Sequence, residues 1–191
     1  MASVDQAMAA YLRRDFLPAD VKSLAEWDNA LPIGFGQTIS QPSLVGQMLE
    51  WLEVEPGNRI LDVGSGSGWT TAILAHLTGP KGKVWAVEII PELKDFGQAN
   101  CRRHNIKNAN FHLAGAKIGW PAKAPYDRIL VGAAANKLPD ELTSQLKENG
   151  KMVVPINNEI WEIEKRIGGQ LDINKHYGFI FVPLLDPSSG L

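Results

Sequence analysis

The chain reads as an α/β protein built on a doubly wound, mostly parallel sheet, and three observations predict it. From residue 59 onward, apolar β-like runs alternate with helical patterns, the sequence form of a parallel sheet with helices on both faces. The runs at 126–133 and 150–156 are almost continuously apolar, as strands covered on both faces require. Between the first strand and first helix of the series lies Ile60-Leu61-Asp62-Val63-Gly64-Ser65-Gly66-Ser67-Gly68-Trp69, where an apolar run turns acidic and meets three glycines at alternate positions.

The elements follow in order. Val4, Ala7, Met8, Tyr11 and Leu12 fall at helical spacing within residues 4–14, and Arg13 to Pro18 ends that helix. Residues 19–42 hold Pro32, Gly34, Gly36 and Pro42 and are expected to be largely irregular, the kind of long segment that is often functional. Pro42-Ser43 opens a helix that buries Leu44, Val45, Met48, Leu49 and Leu52, closed by Pro56-Gly57. Strands are expected at 59–64, 83–88, 109–114, 126–133 and 150–156, and helices at 69–78, 91–104 and 139–148. Pro91 and Pro139 suit a first helical turn, where no N–H is needed, and Gly150 suits a left-handed residue after the third helix. Beyond 156 the rhythm changes: Ile160–Ile167 and Tyr177–Leu184 read as an antiparallel pair at the carboxyl edge, making seven strands, and 186–191 as a frayed tail.

Length and composition set the class. The 191 residues suit a single domain, 1–191, comprising an amino-terminal segment (1–57), a core (58–156) and a carboxyl-terminal strand pair (157–185). With 45% hydrophobic and 21% charged residues the composition is ordinary for a globular protein. A net charge of −2 supplies no broad basic field, so no nucleic-acid partner is expected. Cys101 is the lone cysteine, which rules out an internal disulfide and makes a cytoplasmic enzyme the expectation, with Cys101 structural. No apolar run reaches membrane-spanning length and the amino terminus shows no signal core, so neither membrane insertion nor export is expected.

The glycine stretch has two readings. Strand, glycine loop and helix together make a nucleotide-type site, with backbone open to close approach and unpaired helix N–H groups facing a ligand. A dinucleotide fold wants G-x-G-x-x-G, but Trp69 stands at the third glycine. The pattern present, D-x-G-x-G-x-G, resembles motif I of the class I S-adenosylmethionine-dependent methyltransferases. Lys83–Glu88 reads as a second strand ending in an acid twenty residues after Gly68. An acid there can accept from both ribose hydroxyls; the alternative is a solvated strand end.

A more specific resemblance spans roughly residues 7–185. Leu31-Pro32-Ile33-Gly34-Phe35-Gly36-Gln37-Thr38-Ile39-Ser40-Gln41-Pro42 resembles the signature of the protein-L-isoaspartate O-methyltransferases. Val87–Leu93, Gly119-Trp120-Pro121, Ala124–Asp127, Val131–Ala135, Gln145-Leu146-Lys147 and Phe181–Leu184 continue it. The resemblance implies a Rossmann-like class I methyltransferase fold. It also implies transfer of a methyl group from S-adenosyl-L-methionine to the free α-carboxylate of L-isoaspartyl residues in damaged peptides and proteins, by a monomer.

By that resemblance Gly64, Ser65, Gly66 and Gly68 pass under the cofactor's amino-acid end and sugar. Asp62 braces the loop or meets the ammonium, Glu88 takes the ribose hydroxyls, and Ile89 lies against the adenine. Thr38, Ile39 and Ser40 lie over the methyl group. Ser40 positions the acceptor, and a helix-capping role for it remains compatible. Gly115 and Ala116 belong to the adenine end, where Ala114-Gly115-Ala116 replaces the family's Gly-Asp-Gly. The chemistry needs neither metal nor covalent nucleophile: a carboxylate of pKa ~4 is already ionised at neutral pH, and positioning alone is worth ~7–11 kcal/mol. His76, His104, His112 and His176 are scattered and suggest no metal site. Two alternatives remain: a divergent methyltransferase for another carboxylate, and a descendant that binds a partner without turnover.

Overall fold

The computed structural model describes residues 2–185. Helix α1 covers Val4–Ala10, and its start is a capping box in which Ser3 Oγ accepts from the Gln6 N–H and Gln6 Oε1 from the Ser3 N–H. It is shorter than the predicted 4–14. The chain leaves the helix at Tyr11 and tightens into a 3₁₀ turn, Arg13–Phe16, which carries the Arg13 and Phe16 side chains inward. Residues 19–42 are not largely irregular. They hold a 3₁₀ turn, Ala19–Leu24, and a two-stranded hairpin of β1 (Leu31–Gly34) and β2 (Gln37–Ile39). Pro32 is tolerated because this ribbon has free edges. Helix α2 (Pro42–Leu52) begins as expected but ends on Glu53 in the left-handed region, ahead of Pro56-Gly57.

The main sheet has seven strands: β3 (Arg59–Val63), β4 (Lys83–Glu88), β5 (Ala109–Leu113), β6 (Tyr126–Val131), β7 (Leu146–Ile156), β8 (Glu159–Lys165) and β9 (Leu171–Tyr177). Their order is β5-β4-β3-β6-β7-β8-β9, parallel from β5 to β7 and antiparallel at β7–β8 and β8–β9. Helices α3 (Trp69–Thr78), α4 (Pro91–Arg103) and α5 (Asp140–Gln145) fill the crossovers. Successive strand residues point to opposite faces. Ile60, Val84, Leu130 and Val153 pack with α1 to α4, whereas Leu61, Trp85, Ile129, Met152 and Leu142 of α5 form the core on the other face. Helices thus lie on both faces, but unequally: α5 has six residues, and the loop carrying Ile118 and Trp120 completes its cover.

Two expectations at the carboxyl end change. Helix 139–148 stops at Gln145, and Leu146 already pairs with Tyr126, so β7 starts early and slips register opposite Tyr126–Arg128. Asn149, with φ 60°, takes the left-handed position expected of Gly150. Gly150 is required for space instead, because a Cβ there would lie 2.7 Å from the Lys147 carbonyl oxygen. The last strand is Leu171–Tyr177, not Tyr177–Leu184. As a solvent-exposed edge it carries polar residues, so periodicity favoured the apolar run after it. That run folds back along the sheet: Ala134 N–H donates to Val182 O at 2.8 Å, and Leu184 N–H to Ala134 O at 2.7 Å.

Candidate functional site

The strand order reverses between β3 and β6, so the loops after these two parallel strands diverge and leave a crevice at their carboxyl ends. A cleft lined by both loops occupies it, the usual place for a small-molecule site in such a sheet. Gly64, Gly66, Gly132 and Ala133 form its floor; Val87, Glu88 and Ile89 one wall; Ala114, Ile118 and Gly119 the far end. Ile33, Gln37 and Thr38 of the hairpin and Val182–Leu185 complete it. A smaller adjoining lobe shares Thr38, Gly64, Gly66 and Gly132 and adds Ile39, Ser40, Ser65, Ser67, Trp69 and Thr70.

The glycine loop is shaped by close approach. Gly64, Gly66 and Gly68 have φ 76°, 50° and 83°, which side chains rarely adopt. Gly64 and Ser65 N–H both donate to Val87 O. Gly68 does not line either lobe: a Cβ there would come 2.7 Å from Gly97 O, so its place is the contact of α3 with α4. Trp69, which broke the dinucleotide pattern, is buried and donates its indole N–H to Tyr11 O at 2.8 Å, tying the amino-terminal segment to the loop.

Glu88 is buried at the end of β4 and binds the loop itself. One carboxylate oxygen accepts from Gly66 N–H at 2.8 Å; the other accepts from Ile89 and Ile90 N–H at 2.9 and 3.1 Å. It is therefore not a solvated strand end. With three of its four lone-pair sites so filled, one is left on the oxygen that binds Gly66, and Glu88 lines the cavity beside Ile89.

Asp62 lies beneath the loop rather than on the cavity wall. Oδ2 accepts from Thr71 Oγ1 at 2.6 Å, bracing the first turn of α3. Oδ1 is buried without a partner among the described residues, as is Ser65 Oγ. Burial, only partly offset by the threonine bonds, pushes the Asp62 carboxyl up to about 6, with nearby Glu88 adding to the rise. An orphaned, buried carboxylate oxygen and hydroxyl under one loop fit a ligand that brings a cationic amine.

Ser40 does not cap α2. The cap is Asp28, whose Oδ1 accepts from Ser43 N–H at 2.9 Å and whose Oδ2 accepts from Ser43 Oγ and Gln41 Nε2. These bonds draw the Asp28 carboxyl below its usual range. The Ser40 hydroxyl makes no hydrogen bond among the described residues and lies on the smaller lobe. Its carbonyl is held by Arg13, a residue the sequence reading took only as a helix end. The buried guanidinium donates to the carbonyl oxygens of Ala25, Trp27, Asn29, Ile39 and Ser40. An arginine beside a predicted helix end carries no sign of this, because its five acceptors are backbone atoms.

Gly115 and Ala116 line a shallow neighbouring depression, which meets the main cavity at Gly119. A Cβ on Gly115 would meet nothing within 4 Å, and its φ is not in the left-handed region. Neither space nor backbone therefore demands glycine where the resembled family carries Asp. Gly132, Ala133 and the Val182–Leu185 wall were not anticipated as site residues. Gly132 is constrained: a Cβ would lie 2.9 Å from Gly64 O. Among the described residues, no cluster of three or more His, Cys, Asp or Glu could hold a metal ion.

The chain as a whole resembles known proteins in sequence and in fold. The chain is 43% identical over 187 residues to protein-L-isoaspartate O-methyltransferase from Methanopyrus kandleri, covering 95% of this chain and 83% of that one. A solved protein-L-isoaspartate O-methyltransferase superposes with a TM-score of 0.86 at 29% identity; the match covers 95% of this chain but 60% of that chain. A Plasmodium falciparum protein described by the same activity, in complex with S-adenosyl-L-homocysteine, superposes with a TM-score of 0.83 at 27% identity, covering 96% and 90% of the two chains. The profile of one family matches residues 1–189. The chain belongs to the protein-L-isoaspartate(D-aspartate) O-methyltransferase family.

Proposed function

We propose that this chain transfers the methyl group of S-adenosyl-L-methionine to the free α-carboxylate of L-isoaspartyl residues, the first step in repair of damaged protein. The observation that carries the reading is β2, which lays Thr38, Ile39 and Ser40 against Gly64 and Gly66 with the Ser40 hydroxyl unengaged. When bound, the cofactor supplies an activated methyl group on a sulfonium. The protein's part is to hold groups. Gly64, Ser65 and Gly66 would hold the amino-acid end, and the Asp62 and Ser65 oxygens beneath them, unpartnered among the described residues, would favour its ammonium. Glu88, with one lone-pair site spare, would accept from the ribose, and Ile89 would pack on the base. Gly68 supports the loop from behind, while Gly115 and Ala116 border the base end. Ser40 would donate to one oxygen of the incoming carboxylate, leaving the other free to take the methyl group. The carboxylate arrives ionised, so no general base is needed.

The acceptors are isoaspartyl peptides and proteins. No helix among the described residues is long and apolar enough to cross a membrane. We also take the chain to be a monomer acting in the cytoplasm without nucleic acid; the lone cysteine supports the compartment and the near-neutral charge the absence of nucleic acid. The test is radiolabelled methyl transfer to an isoaspartyl peptide and to its normal aspartyl isomer. Label in the first alone is expected. Equal label in both would replace this reading with a general carboxyl methyltransferase. No heat on titration with S-adenosyl-L-homocysteine would remove the cofactor assignment.

A further inference from the structure

The β1–β2 hairpin turns through Gly34-Phe35-Gly36-Gln37, with Gly34 paired to Gln37 and φ of 55° and 70° at the two central residues. Two positive φ values in a two-residue loop suit Asn-Gly or Gly-Gly. A bulky side chain in that conformation is an outlier. Phe35 is nevertheless there, and 59% exposed, so packing within the chain does not account for it. Its neighbours on both sides belong to the site. Ile33 is buried against Gly66, and Gln37 and Thr38 line the cavity. The tip that carries Phe35 therefore stands at the cavity's rim.

An isoaspartyl residue enters this cavity attached to polypeptide on both sides. With a cofactor in the crevice, the flanking chain would have to run across the rim. We infer that Phe35 is a specificity-determining residue that packs on an apolar side chain next to the isoaspartyl residue of the acceptor polypeptide. The inference rests on the proposed function, because it needs a polypeptide acceptor. A backbone conformation that disfavours the residue, coupled to exposed aromatic surface beside a binding site, is the pattern expected where binding rather than stability selects the side chain.

Phe35→Asn separates the two roles, since Asn suits the turn and lacks the ring. The experiment measures KM and kcat for isoaspartyl peptides with leucine, glycine or glutamate beside the isoaspartyl residue. Affinity for S-adenosyl-L-homocysteine and the melting temperature are measured alongside. For Phe35→Asn we expect KM for the leucine peptide to rise about tenfold, as loss of one partly buried aromatic contact implies. KM for the glycine peptide, kcat and ligand affinity should stay within about twofold, and the melting temperature should hold or rise. Phe35→Leu should restore most of the leucine-peptide KM. Unchanged KM for every peptide in a folded Phe35→Asn protein would overturn the inference. So would a fall in melting temperature with equal loss of ligand affinity, which would make Phe35 structural. Wild-type protein that methylates none of the peptides would overturn the acceptor assignment and this inference with it, and that result is visible without any variant.

Discussion

At the scale of single residues, the site separates groups that hold the loop from groups left free for a ligand. Ser40 is free: its hydroxyl bonds nothing among the described residues, and Asp28 caps the neighbouring helix. Ser40→Ala is therefore expected to leave the melting temperature unchanged while turnover falls, with ~10²-fold as the upper guide from lost oxyanion-type donors. Turnover assays beside thermal melts check this; full turnover with a lowered melting temperature would defeat it. Asp62 is held on one oxygen and strained electrostatically on the whole. Its folded pKa, about 6, lies above the unfolded value of ~3.9, so the folded state binds the proton more tightly. Its favourable contribution is complete below pH ~4 and disappears as pH rises through about 6. At neutral pH the ionised group then costs about 2–3 kcal/mol relative to the protonated one. Urea unfolding of wild type and Asp62→Asn from pH 4 to 8 should show their stability difference moving in the variant's favour by that order. A difference independent of pH would mean that Asp62 ionises freely.

Among elements, the hairpin matters most to the site and was the least visible in advance. Its strands are four and three residues long, one holds Pro32, and two glycines flank the tip, so propensity argued for irregular chain. What holds it is remote in sequence. Arg13 donates to carbonyls of Ile39 and Ser40 at the end of β2 and to three more in residues 25–29. Lysine has one ammonium and cannot reproduce that fork. Arg13→Lys should destabilise by about 3 kcal/mol or more, since several bonds from a charged donor are lost and carbonyls are left buried. Turnover should fall further than cofactor affinity, because β2 carries the acceptor side of the site. Urea unfolding, turnover assays and a separate cofactor titration check these; wild-type turnover and stability in the variant would show that water replaces the guanidinium.

Across the whole molecule, the sheet makes the crevice but does not close it. Both ends of the chain return to the switch point, the amino-terminal segment through Arg13 and Trp69, and the carboxyl-terminal one through Ala134. Val182–Leu185 form a wall of the cavity, whereas Phe179 and Phe181 pack on the core. A chain ending after Phe181 should keep its fold and lose about tenfold or more in affinity for S-adenosyl-L-homocysteine, having lost apolar wall and two backbone bonds. Calorimetry with circular dichroism measures this. Unchanged affinity would place the ligand away from that wall.

The sequence by itself determined the parallel core, the glycine loop and the acid, Glu88, at the end of β4. Each of these is local: a period of two or 3.6, a glycine that must take positive φ, an acid at a strand end. Periodicity placed β3 to β6 and α2 to α4 to within a residue or two because those elements bury a face, and burial imposes the period. It failed on β9, an exposed edge whose polar residues obey no burial pattern, and so handed the strand to the apolar run that follows. Only the tertiary structure decided what that run covers. It alone decided, too, that Asp28 rather than Ser40 caps α2, that Gly68 serves helix packing, and that Arg13 secures the hairpin. Those contacts join residues tens of positions apart through backbone carbonyls and bare glycine surfaces. Such partners leave no mark on side-chain identity, so only the folded chain brings them into view.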